Sequence, residues 1–187
     1  MTSLAPPAKK VWWKEPIETG ELIWIGVVVT WGIILTLMMP FWHVYGNQNL
    51  SSEAYKTTPQ RFQAKAQEVV DKWTVRTEGA FNKPVVKPRT GADIYLIARL
   101  WDWWPVFELE KDQTYRLHVS SMDWQHGFSL QPANINVQVL PGYEMVMTVT
   151  PNKVGKHTIV CNEYCGIGHH NMLGTIHVVD GGGANDD

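Results

Sequence analysis

The chain has 187 residues, of which 44% are apolar and ten are tryptophan, with a formal net charge of −2. That is room for one well-packed domain and an additional segment. Charge so near neutral, with basic residues scattered rather than striped and no helix-turn-helix, zinc-finger or RNA-binding signature, excludes nucleic acid as an expected partner.

Residues 1–21 form an N-terminal segment, followed at 22–42 by "LIWIGVVVTWGIILTLMMPFW", which carries no charge. As a helix rising about 1.5 Å per residue, this run spans the hydrocarbon core of a bilayer, about 30 Å thick. Core helices rarely stay apolar on every face for so long, and Trp24, Trp42 and Tyr45 lie where interfacial aromatics collect. A cleaved signal peptide would have a shorter apolar region, and no Ala-x-Ala site follows, so an uncleaved single-pass anchor is expected. Lys9, Lys10 and Lys14 precede it while Lys56 and Arg61 follow at similar distance, a slight bias towards a cytoplasmic N-terminus.

Residues 43–90 read as a linker. Thr57 or Thr58 can cap a helix with Pro59 in its first turn, and Phe62, Ala66, Val69 and Trp73 recur at helical steps. The expectation is an amphipathic helix lying on the membrane surface or on the domain, without chemistry of its own. Gly79 to Gly91, with Pro84 and Pro88, reads as an extended connection.

From Ala92 the apolar period becomes two. "DIYLIARLW", "TYRLHVSS", "INVQVL", "EMVMTVTP", "KHTIVC" and "GTIHVVD" are strand-like runs separated by Gly, Pro, Asn and Asp, which predicts an all-β Greek-key barrel or sandwich over residues 91–180. The tail 181–187, "GGGANDD", is expected to be disordered.

The stretch "IVCNEYCGIGHHNMLGTIHVVD" holds both cysteines and three of the seven histidines. It starts on one strand and resumes on another, so Cys161, Cys165, His169 and Met172 sit in a loop between rigid walls. A disulfide would close a very short loop and leave His169 and Met172 without a role. A thioredoxin-type pair has two intervening residues and a βαβ context. Structural zinc takes Cys and His in paired spacings, for which methionine is a poor substitute. Thiolate, thioether and imidazole together suit copper, and two thiolates are suited to bridging a pair of ions that share one electron.

"CNEYCGIGHHNM", Cys-x3-Cys-x3-His-x2-Met, resembles the dinuclear copper A motif of cytochrome c oxidase subunit II. "DWQHGFSLQPANINVQVLPG" resembles the segment bearing that family's first histidine. With a single predicted membrane helix, "ANINVQVLPG" and "GHHNM", the chain is most similar to subunit II of the ba-type, B-family oxidases, from the anchor to about Asp180. The resemblance implies a cupredoxin-like fold in which Cys161 and Cys165 bridge two coppers. His126 and His169 would each ligate one, Met172 would be a weak ligand to one, and the backbone carbonyl of Glu163 would serve the other. The motif's spacing selects His169 over adjacent His170. Asp123, three residues before His126, is placed to orient the copper loop through hydrogen bonds. His43, His118, His157 and His177 read as structural or exposed, and Met122, Met145 and Met147 as packing.

By the same resemblance the chain accepts single electrons from a c-type cytochrome and passes them to haem in the large membrane subunit, subunit I. Dioxygen is reduced to water there, and the copper domain lies on the outer face of the inner membrane. No proton-transfer or bond-making constellation is present in this chain itself. Two alternatives share its motifs or its metal: the electron-accepting subunit of a copper A-containing nitric oxide reductase, and a non-catalytic copper-delivery protein. Co-purifying haem would argue against the second.

"LWDWWP", Leu100 to Pro105, coincides with an aromatic-rich segment of the family near the copper. As a strand it would place Trp101 and Trp103 on one face and Trp104 on the other. At least one of the three is expected at the donor interface, with Trp101 the first choice.

Overall fold

The computed structural model describes residues 16–46 and 52–181, in two units that divide after Asn47. The N-terminal segment before residue 16, with its three lysines, and the tail after Gly181 lie outside the described residues. The first unit contains α1, Thr19–Tyr45, three residues longer at each end than the uncharged run. Its start is set by Glu21, whose carboxylate accepts the Glu18 backbone N–H at 3.1 Å. At about 1.5 Å per residue it is about 40 Å long, and it is exposed and apolar on all sides, long and apolar enough to cross a membrane.

The second unit is a two-sheet sandwich of twelve described strands. They are β1 Ser52–Lys56, β2 Thr74–Glu78, β3 Lys83–Val86, β4 Asp93–Arg99, β5 Asp102–Trp104 and β6 Val106–Glu110. These are followed by β7 Tyr115–Ser121, β8 His126–Leu130, β9 Ile135–Val139, β10 Tyr143–Val149, β11 Gly155–Cys161 and β12 Leu173–Val179. One sheet has the order β1-β10-β7-β4-β5 and the other β2-β3-β6-β12-β11-β8-β9. The chain crosses repeatedly between the sheets, so the expected all-β sandwich, with one N-terminal apolar helix in the chain, is the observed class. Between the sheets lie Ile94, Leu96, Phe107, Leu117, Val119, Phe128, Ile159 and Ile176, all buried. They are the inward half of alternating strands.

The six predicted runs correspond to β4, β7, β9, β10, β11 and β12. Of the other six, four escape pattern reading for local reasons: β2 is exposed along most of its length, β3 contains a proline, β5 has three residues, and β8 opens on His-Gly. The sheets also reach upstream of residue 91. β1 is the edge partner of β10, and β3 runs parallel to β6.

Between β1 and β2 lies α2, Pro59–Trp73, capped by Thr58, whose hydroxyl accepts the Arg61 N–H at 3.3 Å. Of the two placements expected for it, α2 takes the domain. Phe62, Ala66, Val69 and Val70 are buried, and Phe62 meets Tyr95 of β4 edge-on at 5.4 Å.

Candidate metal centre

β8 and β11 are antiparallel neighbours, with Cys161 opposite Phe128. The first residue of β8, His126, therefore meets the last residue of β11, Cys161, at one end of the sheet. The loop from Asn162 to Met172 leaves and returns at that end. Tight turns wind it back, with His169 N–H donating to Gly166 O at 3.1 Å and Met172 N–H to His169 O at 3.1 Å. Cys161 N–H donates to Met172 O at 3.2 Å and closes the loop.

This brings the residues singled out by spacing into one buried cluster. Cys161 Sγ and Cys165 Sγ are 3.8 Å apart. His126 Nδ1 lies 3.9 Å from Cys161 Sγ, and His169 Nδ1 lies 3.6 Å from Cys165 Sγ. Met172 Sδ is 3.7 Å from Cys165 Sγ, and the Glu163 carbonyl oxygen is 3.3 Å from Cys161 Sγ. His126 and Met172 are 0% exposed, and both cysteines are buried as free thiols. His169 is half-buried and His170 exposed.

The spacing suits a metal. Donors at about 2.3 Å (sulfur) and about 2.0 Å (nitrogen) from one tetrahedral ion lie about 3.8 Å apart for two sulfurs and about 3.5 Å for sulfur and nitrogen. Those are close to the Cys161–Cys165 and Cys165–His169 separations. The donor atoms of His126, Cys161 and Cys165 all lie within 4.8 Å of one another. The chemistry of the set, thiolate, imidazole and thioether, selects a soft ion. Burial, and then the neighbouring Cys161 thiol, pushes Cys165 up to about 11, so a metal bound here displaces a proton that the thiol otherwise keeps at neutral pH.

Asp123 is hydrogen-bonded to His126. Its Oδ1 accepts from His126 Nε2 at 2.8 Å and from Trp124 N–H at 2.6 Å, and its Oδ2 accepts the Leu100 N–H at 2.7 Å. Burial pushes this carboxyl up, but the bonds from His126, Trp124 and Leu100 outweigh it and hold it below the usual carboxylate range. An acceptor on Nε2 fixes the imidazole tautomer and turns Nδ1 towards the thiols.

The tryptophans separate differently from the strand expectation. β5 begins at Asp102, so Trp101 lies before it and shares no strand face with Trp103. Trp101 is 42% exposed, and its Nε1–H donates to Cys165 O at 3.0 Å. Trp103 is 1% exposed and meets His126 edge-on at 6.4 Å, so it offers no surface to a donor. Trp104 lines a cavity of about 380 Å³ with Gln63, Gln67, Ile97, Arg99 and Met122, on the α2 side of the sandwich. Gly168 carries the close approach of the loop to Trp101, since a Cβ there would lie 2.3 Å from the indole.

Sequence reading missed Trp124, which flanks Gly166 together with Trp101, and the polar side chains of β9 that reach the loop. Two of the histidines read as structural or exposed have carboxylate partners that spacing did not reveal. His118 lies between Glu144 at 2.7 Å and Asp93 at 3.0 Å, and His177 sits on Glu78 at 2.8 Å.

No family model matches the chain. A relative named cytochrome c oxidase subunit 2, from Thermus thermophilus, is 38% identical over 114 residues, 58% of this chain and 84% of the relative. The chain belongs to the cytochrome c oxidase subunit 2 family. A relative named heme-copper oxidase subunit 2, from Aeropyrum pernix, is 35% identical over 71 residues, 37% of this chain and 30% of that protein. Among solved structures, a chain of a heme-copper terminal oxidase dimer aligns with a TM-score of 0.50 and 20% identity, over 82% of this chain and 99% of that one, a likeness of fold. Membership of cytochrome c oxidase subunit 2 makes this chain part of an oxidoreductase complex, with the clustered His126, Cys161 and Cys165 as its possible metal site.

Proposed function

We propose that this chain holds a dinuclear copper centre, accepts single electrons there from a small donor such as a c-type cytochrome, and passes them to haem in the catalytic subunit of a terminal oxidase that reduces dioxygen to water. The observation that carries the reading is the pair of buried thiols 3.8 Å apart, each with one imidazole beside it. Cys161 and Cys165 would be shared by both ions, His126 and His169 would each hold one, and Met172 and the Glu163 carbonyl would be the outer donors. Copper bound here supplies a one-electron couple.

The remaining work falls to the chain. The sandwich fixes the thiols and imidazoles on strand ends and a tight loop, so little has to move when charge changes. Asp123 orients His126. The exposed Trp101, hydrogen-bonded to the Cys165 carbonyl, is where a donor would dock, beside exposed Trp124, Tyr164 and Ile167. An apolar patch of this kind gives a docking rate only mildly dependent on salt. α1 would anchor the chain in the inner membrane with the sandwich on the outer face.

Loading the full-length chain in detergent with one equivalent each of Cu(I) and Cu(II) is the test. Two coppers per chain and a paramagnetic spectrum of one electron shared by both are expected, and Cys161→Ser or Cys165→Ser should abolish that spectrum. A full-strength spectrum in either variant overturns the assignment.

A further inference from the structure

The loop that carries Glu163 is tied to a strand that supplies no donor. β9 is the edge of the seven-stranded sheet and pairs only with β8, where Gly127 stands opposite Gln138 and Ser129 opposite Asn136. On the other side of β8, Asn162 follows Cys161, and its N–H donates to Gly127 O at 3.2 Å. Asn162, Gly127 and Gln138 therefore form a row across three chain segments, with glycine in the middle. A Cβ on Gly127 would lie 2.1 Å from Asn162 Oδ1 and 2.8 Å from the Glu163 backbone nitrogen. The missing side chain is the gap through which the two sides meet. Across it Asn162 Nδ2 donates to Asn136 Oδ1 at 2.9 Å, and Gln138 Nε2 donates to Glu163 Oε1 at 3.2 Å.

We infer that Asn136 and Gln138 are positioning residues that clasp Asn162 and Glu163 across Gly127 and thereby set where the Glu163 carbonyl stands relative to Cys161. The inference rests on the dinuclear copper reading. Two side chains on alternate positions of one strand hold successive residues of the loop, which restrains the Asn162–Glu163 segment from which the Glu163 carbonyl projects. That carbonyl, 3.3 Å from Cys161 Sγ, is the next group along the chain and shifts when the segment does. A carbonyl is a hard oxygen donor and favours the more oxidised state of an otherwise soft site. Loosening the clasp therefore raises the reduction potential.

The test compares the full-length copper-loaded chain with Asn136→Leu, Gln138→Met and Asn136→Asp, by redox titration followed optically, electron paramagnetic resonance and melting of the metal-free protein. Asn136→Leu and Gln138→Met remove a hydrogen bond at exposed positions, and each should raise the reduced-to-oxidised ratio at fixed poise by about twofold or more, where tenfold corresponds to about 59 mV for one electron. Asn136→Asp keeps the acceptor, and its added negative charge should leave the potential unchanged or lower it. Metal-free melting temperatures should match the wild type in all three. Wild-type potential and hyperfine pattern in both Asn136→Leu and Gln138→Met overturn the clasp, as does an equal upward shift in Asn136→Asp. A wild-type chain that takes up two coppers with a shared electron keeps the dinuclear reading whatever the variants do. One that does not overturns that reading and the clasp with it.

Discussion

Replacing Asp123 by asparagine tests the reasoning about His126 at nearly constant shape. The carboxylate uses both oxygens, Oδ1 for His126 Nε2 and the Trp124 N–H, and Oδ2 for the Leu100 N–H. An amide has one acceptor oxygen, so in either orientation its NH2 faces a donor. With the amide oxygen on the His126 side, the Leu100 N–H loses its acceptor. With the amide reversed, His126 gives up the Nε2–H tautomer that leaves Nδ1 free for a metal. An orphaned, partly buried donor costs about 1–3 kcal/mol, and the loss of a carboxylate behind a ligating histidine costs about 10–100-fold in metal affinity. The stability loss depends on pH with a definite sign. The folded carboxyl is held below its ordinary value, so its contribution is present above the ordinary carboxylate range and fades as pH falls through the depressed value. Chelator competition measures the affinity, and urea titration of the metal-free chain at neutral and acid pH measures the stability. Wild-type copper affinity, or a stability gap that persists undiminished in acid, would refute the argument.

Phe62→Ala should cost about 3–5 kcal/mol, since Phe62 is fully buried against Tyr95; thermal melting checks this, and copper spectra of the folded fraction should be unchanged. A fragment beginning at residue 91 should fail to give a cooperative melt while one beginning at residue 48 should melt cooperatively, because the shorter piece loses β3 beside β6 and the buried face of α2. Met172→Leu should retain copper but shift the potential, as expected for a weak donor beside two thiolates; an unchanged potential and spectrum would exclude ligation. Trp101→Phe keeps an aromatic surface but loses the N–H to Cys165 O, and should slow oxidation of reduced cytochrome c while leaving the copper spectrum in place; stopped-flow mixing reads it, and a wild-type rate places the donor elsewhere.

How far the site was legible depends on how far apart its parts lie in the chain. Cys161, Cys165, His169 and Met172 share one loop, so spacing alone grouped them. His126 lies 35 residues from Cys161 and needed the resemblance, because only the antiparallel pairing of β8 with β11 brings them together. α2 was read correctly as a helix from its cap and its apolar stripe. That its stripe joins the sandwich, with Phe62 against Tyr95 of β4, depends on partners further along the chain, and a linker with the same local pattern would look no different.

The expectation that Trp101 and Trp103 share a strand face failed for a related reason. Face parity holds only inside a strand, and the strand starts one residue later than the pattern suggested, which left Trp101 on the surface and sent Trp103 into the core. Asn136 and Gln138 lie inside the run "ANINVQVLPG" that carries the resemblance, but nothing in that run gave them a role. As alternate polar residues of an edge strand they read as a solvated face, and what distinguishes them is the absence of a side chain on a different strand, at Gly127. A glycine immediately after a candidate ligand histidine is therefore informative in a particular way. Here it lies in β8 without a left-handed backbone, so the requirement it meets is space, and the segment that fills the space is the one carrying Glu163.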